Sequence, residues 1–203
     1  MEQLNLRSCS TGLNYYLKNA YKNLKTEKMM LEYRYGKINY MMFLFVTGSV
    51  AGWCLEVCFR SYYDGSIKIP GFLIGPYCPI YGTALLIITY FCKHRYTLIA
   101  FLKIFVLTSL LEYIVSLVIE KIFGILLWDY SYLPFSVGTR VSLAFSVVWA
   151  FLGLIVLLFG EPFLRRFYEK KHTNLRKFAI AGMLIIVADF VVSVAVNIVK
   201  ALT

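Results

Sequence analysis

The chain predicts an all-α fold, a polytopic transmembrane helical bundle, on three observations. Of its 203 residues, 60% are hydrophobic and 17% aromatic, with a mean hydropathy of +0.68; soluble domains are roughly 45–50% apolar. Five apolar stretches follow one another between Ile38 and Leu202, and a helix needs about 20 such residues to cross hydrocarbon. The stretches are continuous rather than alternating, and Gly and Pro gather between them, which favours helices over the strands of a barrel.

The elements follow in order. Residues 1–37 form a basic cytoplasmic or interfacial arm, and residues 38–202 the transmembrane domain. In the arm, Leu13, Leu17, Tyr21, Leu24 and Leu31 recur at helical spacing, while Lys18, Lys22 and Lys25 lie mostly on the other side. That pattern fits an amphipathic helix lying on the cytoplasmic leaflet; a solvated tail whose charge only sets topology fits it as well. No cleavable signal is predicted, because the first apolar run begins only at Ile38 and no small-residue cleavage site follows it.

The predicted spans are Ile38–Phe59, a short Cys78–Cys92, Thr97–Ile119, Val141–Gly160 and Phe178–Leu202. The third apolar run continues to Leu127, about 46 Å at 1.5 Å per residue, so it must tilt or emerge from the lipid. Gly48 and Gly52 give the first span a close-packing face that suits homo-oligomerisation.

Charge orients the bundle. With the amino terminus inside, the cytoplasmic pieces hold 15 Lys or Arg and the external pieces 5. That bias predicts a cytoplasmic amino terminus and an external carboxyl terminus. It also accounts for the net charge of +10, with attraction to anionic lipid, so nucleic acid is not an expected partner.

Ionisable residues inside spans are costly and mark candidate sites. Here they are Glu56, Lys103, Glu112, Glu120 and Asp189. Glu112 and Glu120, with Ser116 between them and Thr108 and Ser109 a turn before, give the third helix one polar face. Two loops join them. One reads Gly71-Phe-Leu-Ile-Gly75-Pro76-Tyr77-Cys78-Pro79-Ile80-Tyr81-Gly82, apolar enough to dip into the membrane and too rich in Gly and Pro for a continuous helix. The other holds Trp128-Asp129-Tyr130-Ser131 and ends in Gly138-Thr139-Arg140.

Arg140 is the natural counter-ion for buried carboxylates. Glu56, Glu112, Asp129 and Arg140 are therefore expected to converge beneath the loops, with Trp53, Tyr113, Glu120, Trp128, Tyr130 and Ser131 as further pocket candidates. Structural readings stand beside these: a tight loop, interfacial aromatic anchors, and an ion pair that only holds helices together. Asp189 has Lys103 as a candidate partner and Asn197 two turns on, a set read as structural.

Five cysteines show neither a disulfide framework nor paired C-x-x-C motifs, and Cys54 and Cys58 read as small packing residues. Both histidines fall in cytoplasmic basic loops, so no metal site and no cofactor are expected.

These residues carry a resemblance. The chain resembles the bacterial membrane-protein family named putative ABC-transporter type IV, or CmpB-like. The resemblance rests on Gly52-Trp53-Cys54-Leu55-Glu56, the Gly71–Gly82 motif, Leu111-Glu112-Tyr113, Glu120, Trp128–Ser131 and Gly138–Arg140, and covers about Asn39 to Phe159. The basic arm lies outside it and the last span matches weakly. It implies a permease-like subunit of the cell membrane, multi-pass, working with a cytosolic ATPase subunit or as a homo-oligomer.

The residues themselves leave three functions open. The first is a permease subunit with an outward-facing acidic pocket for a cation or neutral polar solute; the chain has no G-x-x-x-x-G-K-S/T phosphate loop and would need a partner ATPase. The second is a membrane enzyme using carboxylates, with Arg140 holding the phosphate of a lipid-linked or envelope substrate at the outer leaflet. The third is a non-catalytic assembly or regulatory protein that works through its arm.

Overall fold

The computed structural model describes residues 36–63, 65–67, 69, 71–92 and 97–202. Nearly all of the basic arm and the Lys93–Tyr96 loop lie outside the described residues, and so does the expected arm helix. The helices are α1 (Gly36–Tyr63), α2 (Pro79–Phe91), α3 (Thr97–Phe123), α4 (Leu143–Lys170) and α5 (His172–Leu202). Between α3 and α4 sits a hairpin of two-residue strands, β1 (Ser136–Val137) and β2 (Val141–Ser142), paired Ser136 to Ser142 and Val137 to Val141. We call the end of the bundle that carries it the hairpin end.

Among the described residues four helices, not five, are long and apolar enough to cross a membrane. The expected Cys78–Cys92 span is the 13-residue α2, about 20 Å long, against roughly 30 Å of hydrocarbon. The chain covers the remaining depth as irregular backbone. Residues 71–78 descend from the hairpin end until the Cys78 N–H donates to the Ser49 carbonyl at 2.9 Å, near the middle of α1. Tyr77 is buried there against Val46 and Ile186. Backbone without helical hydrogen bonds is tolerated at such depth only where protein surrounds it.

Small residues let α2 start in the middle of the bundle. A Cβ on Gly82 would stand 2.4 Å from the Phe45 carbonyl, and one on Gly52 would stand 2.1 Å from the Tyr81 ring. The Gly48 and Gly52 face, expected to join two copies of the chain, is therefore filled from within by Tyr81, Gly82 and Leu85 of α2.

The interior of the bundle mixes apolar clusters with polar rows, while its outer faces are apolar, as suits hydrocarbon. On α3 the buried row is Ala100, Ile104, Thr108, Glu112 and Ser116, at a spacing of four. Leu102, Val106, Leu110, Ile114 and Val118, at the same spacing, are exposed. Ser109 donates to the Phe105 carbonyl and meets the Ser146 hydroxyl of α4 at 2.8 Å, so α3 and α4 share a hydroxyl-lined seam. Cys54 and Cys58 are exposed on α1.

The fourth helix does not stop at Gly160, where the sequence places its end. Residues Val156–Gly160 form a π-turn and the helix resumes as Glu161–Lys170. Pro162 brings no N–H to the ladder, and the extra residue is absorbed where Glu161 N–H reaches back five residues to Val156. The resulting rotation turns Glu161 inward. Its Oε1 accepts the Tyr40 hydroxyl at 3.3 Å and the Arg165 Nε at 2.9 Å, while Arg165 lies over the Tyr40 ring at 5.4 Å. This clamp ties α1 to α4 at the end opposite the hairpin. At the hairpin end, Ser142 caps α4 by accepting the Phe145 N–H at 3.2 Å.

Candidate functional site

Two carboxylates, Glu56 and Glu112, lie in the half of the bundle nearest the hairpin, with a row of aromatic rings between them. Glu56, seven residues before the end of α1, is held at both oxygens. Oε1 accepts the Nε of Arg60 at 2.7 Å, one helical turn on, and Oε2 accepts the hydroxyl of Tyr81, three residues into α2. The amino-terminal end of α2 adds its partial positive charge there. Arg60 is fixed from behind by a second bond, Nη2 to the Leu127 carbonyl at 3.1 Å.

Glu112 is the deeper of the two and 6% exposed. Its Oε1 accepts the Tyr130 hydroxyl at 3.0 Å, and its Oε2 has no hydrogen-bond partner. The Ser116 hydroxyl, one turn toward the hairpin on the same face, is also buried without a partner, and so is the Trp53 indole N–H. Buried polar atoms are normally paired with protein or ordered water. Glu112 and Ser116 thus place two such atoms one turn apart on the buried face of α3.

Aromatic rings join the two acids. Tyr81 meets Trp149 edge-on at 5.7 Å, Trp149 lies 6.5 Å from Phe145, and Phe145 stacks on Tyr130 at 4.7 Å with 15° between planes. Burial, and after it the neighbouring Glu112 carboxylate, pushes the Tyr130 phenol well above its ordinary value. It therefore remains a donor to Glu112 at neutral pH.

The convergence expected of Glu56, Glu112, Asp129 and Arg140 is only partial. Glu56 and Glu112 come together through their tyrosines. Arg140 instead pairs with Glu120, lies over the Tyr113 ring at 5.9 Å, and offers its carbonyl to the Trp128 indole N–H at 2.8 Å. Its distance from the deeper acids follows from the hairpin, whose turn at Gly138 has a φ of 60° and sets Arg140 level with the last turns of α3. Asp129 is exposed and shapes a turn by accepting the Ser131 N–H at 2.8 Å, the contact that lowers its carboxyl below the usual range. The counter-ion to Glu56 is Arg60, one of the five external charges of the topology count; its spacing of four from Glu56 was the available signal.

Asp189 has a different role from the expected pairing with Lys103. It holds the descending loop: Oδ2 accepts the Gly75 N–H at 2.8 Å and the Tyr77 hydroxyl at 2.6 Å. Oδ1 accepts the Ile74 N–H at 3.3 Å and the Ser193 hydroxyl at 2.9 Å. Gly75 is required here because a Cβ would stand 2.3 Å from the Tyr77 ring. Asn197 donates to the Ser193 carbonyl at 2.8 Å and does not reach the carboxylate. Among the motif residues, Pro76 is exposed, Gly71 bends the chain with a φ of 138°, and Pro79 opens α2. No group of three or more His, Cys, Asp or Glu able to hold a metal occurs among the described residues.

Four apolar crossing helices, a fifth element that is half loop and half helix, and paired acids on the inner faces define a multi-pass integral membrane protein. The chain belongs to the family described as Putative ABC-transporter type IV, whose profile matches residues 43–194. The match extends beyond the stretch on which the resemblance was read and takes in most of α5 with Asp189. No curated protein and no solved structure matches the chain.

Proposed function

We propose that the protein is the permease-like membrane subunit of an ABC-type transport system of the cell membrane. In this reading the polar site around Glu56 and Glu112 faces a solute that is a cation or a neutral polar molecule. The observation that carries it is the buried Glu112 oxygen without a hydrogen-bond partner, in a bundle whose second crossing is broken into a descending loop and α2. Broken helices in transporters bring backbone and charge to mid-membrane depth, where solutes are handled. Buried ionisable groups in spans are costly unless they serve such a path.

The charge bias of 15 to 5 supports a cytoplasmic amino terminus, with the hairpin end and the acid pair opening outward. The descending loop and α2 together complete one return crossing, so the number of crossings stays odd. Energy would come from a partner ATPase, since the chain itself has no phosphate loop.

The test is affinity purification of the tagged chain from its own membranes in mild detergent, with the co-purifying subunits identified and assayed for ATP hydrolysis. A stoichiometric ATPase whose activity changes in Glu112→Gln supports the reading. Recovery of the chain without any nucleotide-binding partner, together with full cellular function of Glu112→Gln, overturns it.

A further inference from the structure

A second site lies at the surface of the hairpin end, between the last turns of α1 and the first turn of α4. It is an open cavity of about 460 Å³ lined by Phe59, Arg60, Tyr63, Tyr132, Leu133 and Phe145. That volume falls in the usual range for small-molecule sites, roughly 300–1,000 Å³. We propose that this cavity binds the headgroup of a phospholipid, with the phosphate diester on Arg60 and the two phenols and the acyl chains running down the groove below.

The polarity of the lining selects the ligand. Its ionisable side chains are one guanidinium and two phenols, and no carboxylate lines it. All three offer N–H or O–H to an acceptor, which suits a phosphate and not a cation. Arg60 keeps three of its five N–H groups free of protein partners among the described residues, because only Nε and one Nη2 hydrogen are used. Those two bonds hold the guanidinium still, so little freedom is lost when a ligand arrives. The walls are also preformed: Phe59 packs on Tyr63 at 4.8 Å and edge-on to Phe145 at 5.7 Å.

The surroundings select a lipid over a free phosphate. One turn below the cavity, Leu55 of α1 and Val148 of α4 are each about half exposed to the bilayer. An amphiphile seated on Arg60 therefore finds apolar surface where its chains begin. Tyr63 and Tyr132, at 71% and 74% exposure, stand where aromatic residues meet headgroups. The cavity shares Arg60 with Glu56, but the Phe145 and Tyr130 rings stand between it and Glu112, and lipid binding is read without any transport assay.

The experiment is native mass spectrometry of the purified full chain, delipidated and titrated with a phosphatidylglycerol, a diacylglycerol of the same chains, and soluble glycerol phosphate. The variants are Arg60→Lys, which keeps a cation for Glu56 but loses the planar fork, and the double variant Tyr63→Phe with Tyr132→Phe, which alters only exposed hydroxyls. We expect one tightly held phosphatidylglycerol per chain, no comparable diacylglycerol, and a loss of affinity of roughly tenfold or more in either variant. Equal binding of diacylglycerol, or unchanged binding in the double variant, would overturn the phosphate site. Competition by glycerol phosphate at concentrations near those of the lipid would show a free-phosphate site and overturn the lipid assignment.

Discussion

Replacing Asp189 by alanine removes the acceptor that holds the descending loop at depth. Of its four donors, the exposed Ile74 N–H can turn to water, and Ser193 can bond back to its own helix. The Gly75 N–H and the Tyr77 hydroxyl have no such outlet, since Tyr77 is buried against Val46 and Ile186. Hydrogen bonds to a charged acceptor contribute about 1.5–3 kcal/mol each, so losing two costs about 3–6 kcal/mol. In a chain of this length each 1 kcal/mol moves the melting temperature by about 2–4 °C, which gives a drop on the order of 10 °C. The assay is thermal unfolding in detergent, paired with thiol labelling of Cys78 on a background where the other cysteines are replaced. Cys78 lies between Tyr77 and α2, so release of the loop speeds its labelling. Asp189→Asn keeps one acceptor oxygen and should fall between wild type and alanine. If Asp189→Ala melts within about 2 °C of wild type and Cys78 labels no faster, the loop is not held by this carboxylate.

Three further outcomes follow from the same geometry. Gly52→Ala drives a methyl group into the Tyr81 ring; overpacking of this kind costs about 1–3 kcal/mol, and it should lower the melting temperature more than Gly36→Ala, where a Cβ meets nothing within 4 Å. The Tyr130 phenol is raised above its unfolded value of about 10, so its contribution is complete below that pH and is lost as the pH rises toward the folded value; melting scans should show an alkaline decline that Tyr130→Phe weakens. Glu161→Gln weakens the bonds from Tyr40 and from the half-exposed Arg165 and should destabilise the protein by about 1–2 kcal/mol, whereas an exposed Glu169→Gln on the same helix should change its stability by no more than about 0.5 kcal/mol.

Much of the fold could be read from the chain because hydrocarbon leaves few choices. Continuous apolar runs and the Gly and Pro between them were enough for the long helices. The half-span was only partly legible. Gly71, Gly75, Pro76 and Pro79 announce irregular backbone, but nothing in their spacing says that Cys78 descends to Ser49 before α2 begins. The small residues of α1 read equally well as a face for a second copy, and only the fit of Tyr81 and Gly82 into it decides between the two. The π-turn escaped because the apolar run ends at Gly160, before the charges of Glu161–Lys170, and hydropathy carries no mark of one extra residue in a turn.

At the site, the polar row of α3 follows directly from helical spacing. Which acid meets which base does not. Arg140 was the conspicuous cation by motif, yet the hairpin sets it beside Glu120, while Arg60 pairs with Glu56, one turn away. Asp189 shows the same limit, because its partners are backbone N–H groups of a loop more than a hundred residues away in sequence.

The most direct test of the account is aqueous access to Glu112. Single cysteines at Glu56, Glu112, Ser66, Leu110 and Thr173, each on a cysteine-free background, would be treated in intact cells with a membrane-impermeant thiol reagent. The account predicts labelling at Ser66, Glu56 and Glu112, and none at Thr173 or at Leu110, two residues before Glu112 on the exposed apolar face of α3. Labelling at Ser66 with none at Glu56 and Glu112 would contradict it, leaving the acids as packing contacts without a solute path.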